Sequence, residues 1–394
     1  MALATEQIDD DVCLDGVFES ATLGDINKIR NLHEYIERLL DFSKRLEFSD
    51  IMIQSDDELC YRIPTGWTPT GYGLVAANQL AEIIATLRAE DAKGQDQPIG
   101  KARTDRNQLS VGMGKWRLRC TIFTTGARTT TKLVIRKLPE EVPDLSDLGL
   151  GVLVSQLVKA QRGLVIVSGP TGTGKSTTMA AILQKMLNTR PIHAVTIEEP
   201  IEYVFTKGKG IVSQREVGVD VASFEQGLNE AMRQTPDAIL VGEVRSREEA
   251  ETAFRAAEHG RFVLMSTHGR DAVSAIQKLL SFFPHEEQAS KAVMLGNHLV
   301  CVIHQALIPA IGAKKWELAY ESFFVGDSPE VIGVVSDPSK YGQLRAMLAS
   351  GAIGQSTSMN KVLKNLVSSN KVGEPEALAA SVDVAGLKSL LRGG

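Results

Sequence analysis

Cysteine is scarce in this 394-residue chain. The four residues, Cys13, Cys60, Cys120 and Cys301, are scattered and form no C-x-x-C pair. That spacing excludes a disulfide framework and a zinc site built on paired cysteines, and it fits a reducing cytosol. Aromatic residues make up 5% of the chain, too few for a channel that stacks the bases of single-stranded nucleic acid. No apolar run approaches the ~18 residues needed to span a membrane. The first 25 residues hold seven acids and no lysine or arginine, so the basic n-region of a signal peptide is missing. A net charge of −5 gives no global attraction to nucleic acid or anionic lipid. The expected location is the cytoplasm. What remains is ordinary for a globular chain of two or three domains: 43% hydrophobic, 23% charged, with no internal repeat.

Taken in order, residues 1–25 read as an acidic, flexible tail. Ile26, Ile29, Leu32, Ile36, Leu39 and Leu40 then recur at helical spacing. This leading helix opens an α+β domain over 26–137. Within it, 50–54 and 59–63 read as a hairpin, 78–89 as a helix, and 116–123 and 131–136 as a second antiparallel pair. Residues 101–137 carry ten Lys/Arg and one acid, Asp105. The simple meaning is a solvated basic face; the sharper one is a surface that meets phosphate. Residues 138–147, with Pro139 and Pro143 among acids, read as a linker. From 148 to 370 short apolar strands alternate with helices, the pattern of a largely parallel sheet covered by helices. Strands are expected at 193–197, 238–241 and 261–266, with 301–306 and 318–324 extending the sheet antiparallel. Residues 371–394, rich in Ala, Ser and Gly, read as a flexible C-terminal tail.

One stretch organises the second domain: Gly169-Pro170-Thr171-Gly172-Thr173-Gly174-Lys175-Ser176, followed by Thr177. It fits G-x-x-x-x-G-K-[ST], the phosphate-binding P-loop, and it lies between an apolar run at 163–168 and a helical pattern from Thr177. Its glycines permit positive φ and close approach to an anion. The loop N–H groups and the helix N-terminus then face phosphate. Lys175 is expected on the β- and γ-phosphates of ATP and the Ser176 hydroxyl on Mg²⁺.

Hydrolysis needs more than binding. The apolar run 238–241 ends in Gly242-Glu243, an acid placed like that of a Walker B strand, beside the metal. Glu198, Glu199 and Glu202 follow the strand at 193–197; strand C-termini line the ligand crevice of a parallel sheet. Any of the three could serve as base toward water. His268 ends the next strand at the same edge, in reach of the γ-phosphate.

Together these blocks resemble the hexameric secretion and pilus ATPases of the type II/IV class, in particular their PilT-like branch. Gly169–Ser176 resembles Walker A, Thr196–Tyr203 the aspartate box, Asp237–Arg245 Walker B and His259–His268 the histidine box. Ser213–Gly218 also matches the pattern. The resemblance implies a RecA-like P-loop core with a smaller N-terminal PAS-like α+β domain. It implies that Arg117, Arg119, Arg128 and Arg136 reach the nucleotide of a neighbouring subunit, and that the chain forms a homohexamer. It further implies docking on the base of an inner-membrane secretion or pilus machine through partner proteins, with no direct nucleic-acid contact. Several positions depart from the family pattern. Glu199 stands for the usual Asp, Ser246 for an acid, and His259-Gly260-Arg261 for Thr-Gly-His. The tetracysteine element and long N-terminal region of assembly ATPases are absent. These features resemble the DotB/TraJ group of type IVB secretion and conjugation. The expected activity is ATP hydrolysis driving conformational change in such a machine, with pilus retraction as an alternative and a RecA-like nucleic-acid ATPase as a rival of another class.

Overall fold

The computed structural model describes residues 36, 39–40, 48–63, 66–69, 75–93, 107–113, 116–126, 130–138, 141–150, 156–312, 315–326 and 328–392. The tail expected at 1–25 and Arg128 lie outside the described residues, as does most of the leading helix; Ile36, Leu39 and Leu40 of that helix are described, helical and fully buried. The chain divides into two compact units, Met1–Asp96 with Ala102–Leu138, and Gln97–Lys101 with Pro139–Gly394.

The first unit is built on an antiparallel sheet of β1 (Asp50–Gln54), β2 (Cys60–Ile63), β3 (Gly66–Pro69), β4 (Gln108–Met113), β5 (Trp116–Thr125) and β6 (Thr130–Leu138). The strand order is β3-β2-β1-β6-β5-β4. Alternation in β5 decides its faces: Trp116, Leu118, Cys120 and Ile122 are buried while Arg117 and Arg119 stay partly exposed. Helix α1 (Ala77–Lys93) sets Leu80, Ile83 and Leu87 into the same core as Ile51, Leu133 and Ile135. Strands β3 and β4, which the sequence pattern did not mark, are the two edges of the sheet. A short edge strand ending in proline shows little alternation.

The second unit follows the alternation. Its strands are β7 (Gly163–Ser168), β8 (His193–Glu198), β9 (Ile211–Glu216), β10 (Ala238–Val241), β11 (Phe262–Thr267), β12 (Leu299–Pro309) and β13 (Trp316–Phe324). They lie in the order β13-β12-β7-β11-β10-β8-β9. Between them run α2 (Lys175–Thr189), α3 (Phe224–Ala231), α4 (Arg247–Glu258), α5 (Ala272–Leu280) and α6 (His285–His298). Every residue of β7, β10 and β11 is buried, as expected of parallel strands covered on both faces. Helix α2 packs on one face through Met179, Ile182 and Leu183 against Val165 and Leu240. Helices α3 to α6 cover the other, around Leu164, Ile239 and Met265.

Two expectations are corrected. Strand β12 runs parallel to β7, and β13 alone is antiparallel. The reason is α5 and α6, which form a crossover that returns the chain before β12 begins. Nor is 371–394 without structure, since α10 (Glu374–Ala380) and α11 (Val384–Arg392) lie there. They follow α7 (Pro329–Val335), α8 (Tyr341–Ser350) and α9 (Met359–Ser368). Val372, Ala377 and Leu387 join a small core with Leu363, Ile308 and Ala319. Each helix buries so few side chains that a composition rich in Ala, Ser and Gly concealed it.

Candidate functional site

Strands β7, β8, β10 and β11 end at one edge of the sheet, and each is followed by a motif residue: Gly169, Glu199, Gly242 and His268. The P-loop turns on Gly169 (φ 146), Gly172 (φ 83) and Gly174 (φ 81), values a side chain would strain. Gly174 is the N-cap of α2, and no side chain caps the helix. Pro170, Thr171 and Gly172 form the exposed crest, while Thr173 is buried, its Oγ1 donating to the Pro170 carbonyl at 2.9 Å. Lys175 Nζ donates to the Gly169 and Pro170 carbonyls at 2.8 and 3.1 Å. Burial pulls its ammonium below the ordinary lysine range, against the charges of Glu243 and Glu202. Ser176 and Thr177 occupy the first turn of α2, and Thr177 Oγ1 lies 2.8 Å from the Tyr203 hydroxyl.

Glu243 sits among cations. His268 Nε2 is 2.7 Å from one carboxylate oxygen and Arg245 Nη2 is 2.7 Å from the other. Burial opposes its charge, but Arg245, then His268 and Lys175, outweigh burial and hold the carboxyl below the usual range. Arg245 also reaches Glu199 at 3.3 Å. The other ring nitrogen of His268, Nδ1, donates to the Gly169 carbonyl at 3.1 Å. One imidazole thus joins the start of the P-loop to the acid after β10. Ser246, which replaces the family's acid, is the N-cap of α4 in a capping box with Glu249.

Glu198 is the buried member of the acid group. Thr196 Oγ1 donates to it at 2.7 Å and Gln214 Nε2 at 3.4 Å, yet burial pushes its carboxyl up to about 7. The segment after it is strapped to the core from two sides. Gln214 donates to the Tyr203 carbonyl and accepts from Phe205 N–H; Gln184 accepts from Thr206 N–H and donates to its carbonyl. Glu202 lies close enough to Lys175 and Glu198 to act on both electrostatically.

Arg245, Gln214, Tyr203, His304 and Gln305 were not singled out as site residues by sequence. Arg245, Gln214 and Tyr203 lie inside quoted motifs; His304 and Gln305 carry no signal of their own. His304 Nδ1 lies 3.1 Å from Ser168 Oγ, and burial pushes its imidazole down to about 4, so it is neutral at pH 7. Beside the P-loop a cavity of about 710 Å³ is lined by Thr173, Thr177, Leu318, Tyr320 and Leu366 among others. That volume is in the range of small-molecule sites.

The candidate arginines belong to the first unit. Arg119 and Arg136 are cross-strand partners on β5 and β6, and Arg136 faces Asp50 of β1 in turn. Arg136 Nε and Nη2 donate to the two carboxylate oxygens of buried Asp50 at 2.7 and 3.3 Å. Arg117 lies two residues from Arg119 on the same strand face.

Residues 77–367 match the family described as type II/IV secretion system protein. The chain is 37% identical over 244 residues to the type IV pilus retraction ATPase PilT of Pseudomonas aeruginosa, spanning 62% of this chain and 70% of that protein. A crystal structure of the pilus retraction motor PilT with bound ADP superposes with a TM-score of 0.74 at 30% identity, covering 90% of this chain and 99% of that one. The Legionella pneumophila ATPase DotB gives 0.73 at 22% identity, covering 93% and 97%, and so shows likeness of fold alone. The fold is accordingly a RecA-like core with a smaller N-terminal α+β domain.

Proposed function

Because this chain belongs to the type II/IV secretion system protein family, as a PilT-like traffic ATPase, we propose that it hydrolyses ATP as a homohexamer to drive conformational change in a type IVB secretion or conjugation machine. Support comes above all from the meeting of Lys175, Glu243 and His268 at the sheet edge where the P-loop opens. Pilus retraction is the second reading, favoured by the identity to a retraction ATPase. In that case loss of the gene abolishes surface motility; in the first it abolishes DNA or effector transfer.

The loop amides and Lys175 bind the phosphates, and the cavity beside Thr177 takes the nucleoside. Ser176 and Glu243 offer hard oxygen donors, one hydroxyl and one carboxylate, which suits an ion that takes its remaining ligands from phosphate and water. They fit Mg²⁺, whose charge would neutralise the phosphates when bound. Glu198 is the base of choice, since a carboxyl pushed up to about 7 accepts a proton effectively near neutral pH. Glu199 holds Arg245, and Glu202 balances the charge of Lys175.

Arg119, with Arg117 and Arg128, serves the neighbouring subunit's phosphate. Asp50 engages Arg136 through two hydrogen bonds, so Arg136 would act from a fixed position. Residues 138–147 act as the hinge between the domains. The protein works in the cytoplasm, held at the inner membrane by partners; among the described residues no helix is long and apolar enough to cross a membrane. The test is phosphate release by the full chain across a protein concentration series, with and without Mg²⁺. Turnover that needs Mg²⁺ and rises steeply with assembly is expected; no turnover in the assembled protein overturns the proposal.

A further inference from the structure

We propose that Gln305 sets the working shape of the P-loop, by holding the Thr173–Gly174 peptide so that the Gly174 N–H faces the phosphate site. The inference rests on the loop being a nucleotide-phosphate site, and the test separates the two.

Strand β12 lies parallel beside β7 with His304 level with Ser168, so Gln305 comes level with Gly169, where the loop begins. A Cβ on Gly169 would fall on the Gln305 carbonyl oxygen, so the first loop residue rests directly on the β12 backbone. The Gln305 side chain is 1% exposed, and its Nε2 donates to the Thr173 carbonyl at 3.0 Å. A carbonyl requires a donor, which fixes the amide with nitrogen toward the loop. The buried Gln305 Oε1 has no hydrogen-bond partner among the described residues. A buried acceptor without a donor is unfavourable, and its retention calls for a reason.

The reason lies in peptide geometry. In a trans peptide the C=O and N–H point in opposite directions. Tying the Thr173 oxygen to β12 therefore turns the Gly174 N–H away from β12, toward the concave side of the loop. This peptide turns about Thr173 ψ and Gly174 φ, and the glycine at 174, with φ 81, gives its share of that rotation little resistance. The loop's own sequence does not hold this plane. The tie comes from a strand 132 residues further along the chain (305 minus 173).

The test uses the full-length protein with Gln305→Met, which keeps the volume and removes the donor, and Gln305→Glu, which places an acceptor against the Thr173 carbonyl. ADP and adenosine binding are measured side by side, with thermal melting as a check on folding. The expected result is ADP affinity at least tenfold weaker in Gln305→Met and weaker again in Gln305→Glu. Gln305 also lines the cavity beside the loop, so adenosine affinity falls too, but by much less than ADP affinity, and the KM for ATP rises more than kcat falls. Wild-type ADP affinity in Gln305→Met overturns the proposal. So does equal loss of ADP and adenosine, or failure of both variants to fold, since each means that Gln305 serves the cavity wall or the fold in general and not the phosphate loop. Lys175→Ala measured in parallel tests the underlying site: if it binds ADP as tightly as wild type, the phosphate-site assignment falls and the role of Gln305 falls with it.

Discussion

His268 Nε2 lies 2.7 Å from Glu243 Oε1, while Nδ1 of the same ring holds the Gly169 carbonyl. Both ring nitrogens face oxygen acceptors, so the ring is held from both sides. A change of charge at the loop mouth therefore reaches Glu243 through one rigid ring. Replacing His268 with Ala should leave ADP affinity within about threefold and lower kcat by about 10²-fold, as for loss of a positioned acid–base group. Single-turnover phosphate release checks this; an unchanged kcat counts against the coupling.

Lys175→Ala should lower turnover by more than about 10²-fold, since the loop loses its one cationic contact to the transferring phosphoryl group. The fold should survive, because among the described residues the Lys175 ammonium donates to the Gly169 and Pro170 loop carbonyls and to no core group. Circular dichroism with phosphate release distinguishes the two effects.

Glu198 ties activity and stability to pH with opposite signs. Its carboxyl is raised by burial from 4.5 to about 7, so a folded chain keeps a proton that an unfolded chain releases between those values. Stability then falls as pH rises from 4.5 to about 7, by up to about 3 kcal/mol for a shift of this size. Turnover, which needs the ionised base, rises over the upper part of the same range. Glu198→Gln should therefore melt higher than wild type near pH 8, equal it near pH 4.5, and hydrolyse ATP poorly throughout. A melting difference that ignores pH would disprove the burial argument.

Arg119 and Arg136 should separate cleanly. Arg136→Ala leaves the buried Asp50 carboxylate without its bidentate partner. The expected cost is about 2–3 kcal/mol, somewhat below that of a fully buried pair because the arginine is partly exposed. Arg119→Ala should lower turnover steeply and recover activity when mixed with Lys175→Ala subunits. Absence of rescue at every ratio removes the contribution in trans.

Much of the second unit was visible in the sequence because its chemistry is local. A P-loop must sit between a buried strand and a helix, and the acids of β8 and β10 announce themselves at the ends of apolar runs. What the sequence hid depends on long-range pairing. Gln305 carries no motif; its meaning comes from β12 docking parallel to β7, a register set by the α5–α6 crossover. Arg245 stands in a motif block by sequence, but its bridge between Glu199 and Glu243 exists only because β8 and β10 lie side by side. The helices of 371–392 fold on a few buried contacts with β12 and β13, which no period within that stretch reveals.

The segment between β8 and β9 has no regular secondary structure, yet Gln214 and Gln184 fasten it at Tyr203, Phe205 and Thr206. Such a segment should exchange its amide hydrogens like a strand at Phe205 and Thr206 and like an open coil at Lys207 and Gly208. Glu199 and Glu202 therefore stand on a backbone fastened to the core at Ile201 and again from Tyr203 onward, so a loop without regular structure carries its acids with the steadiness of a strand end.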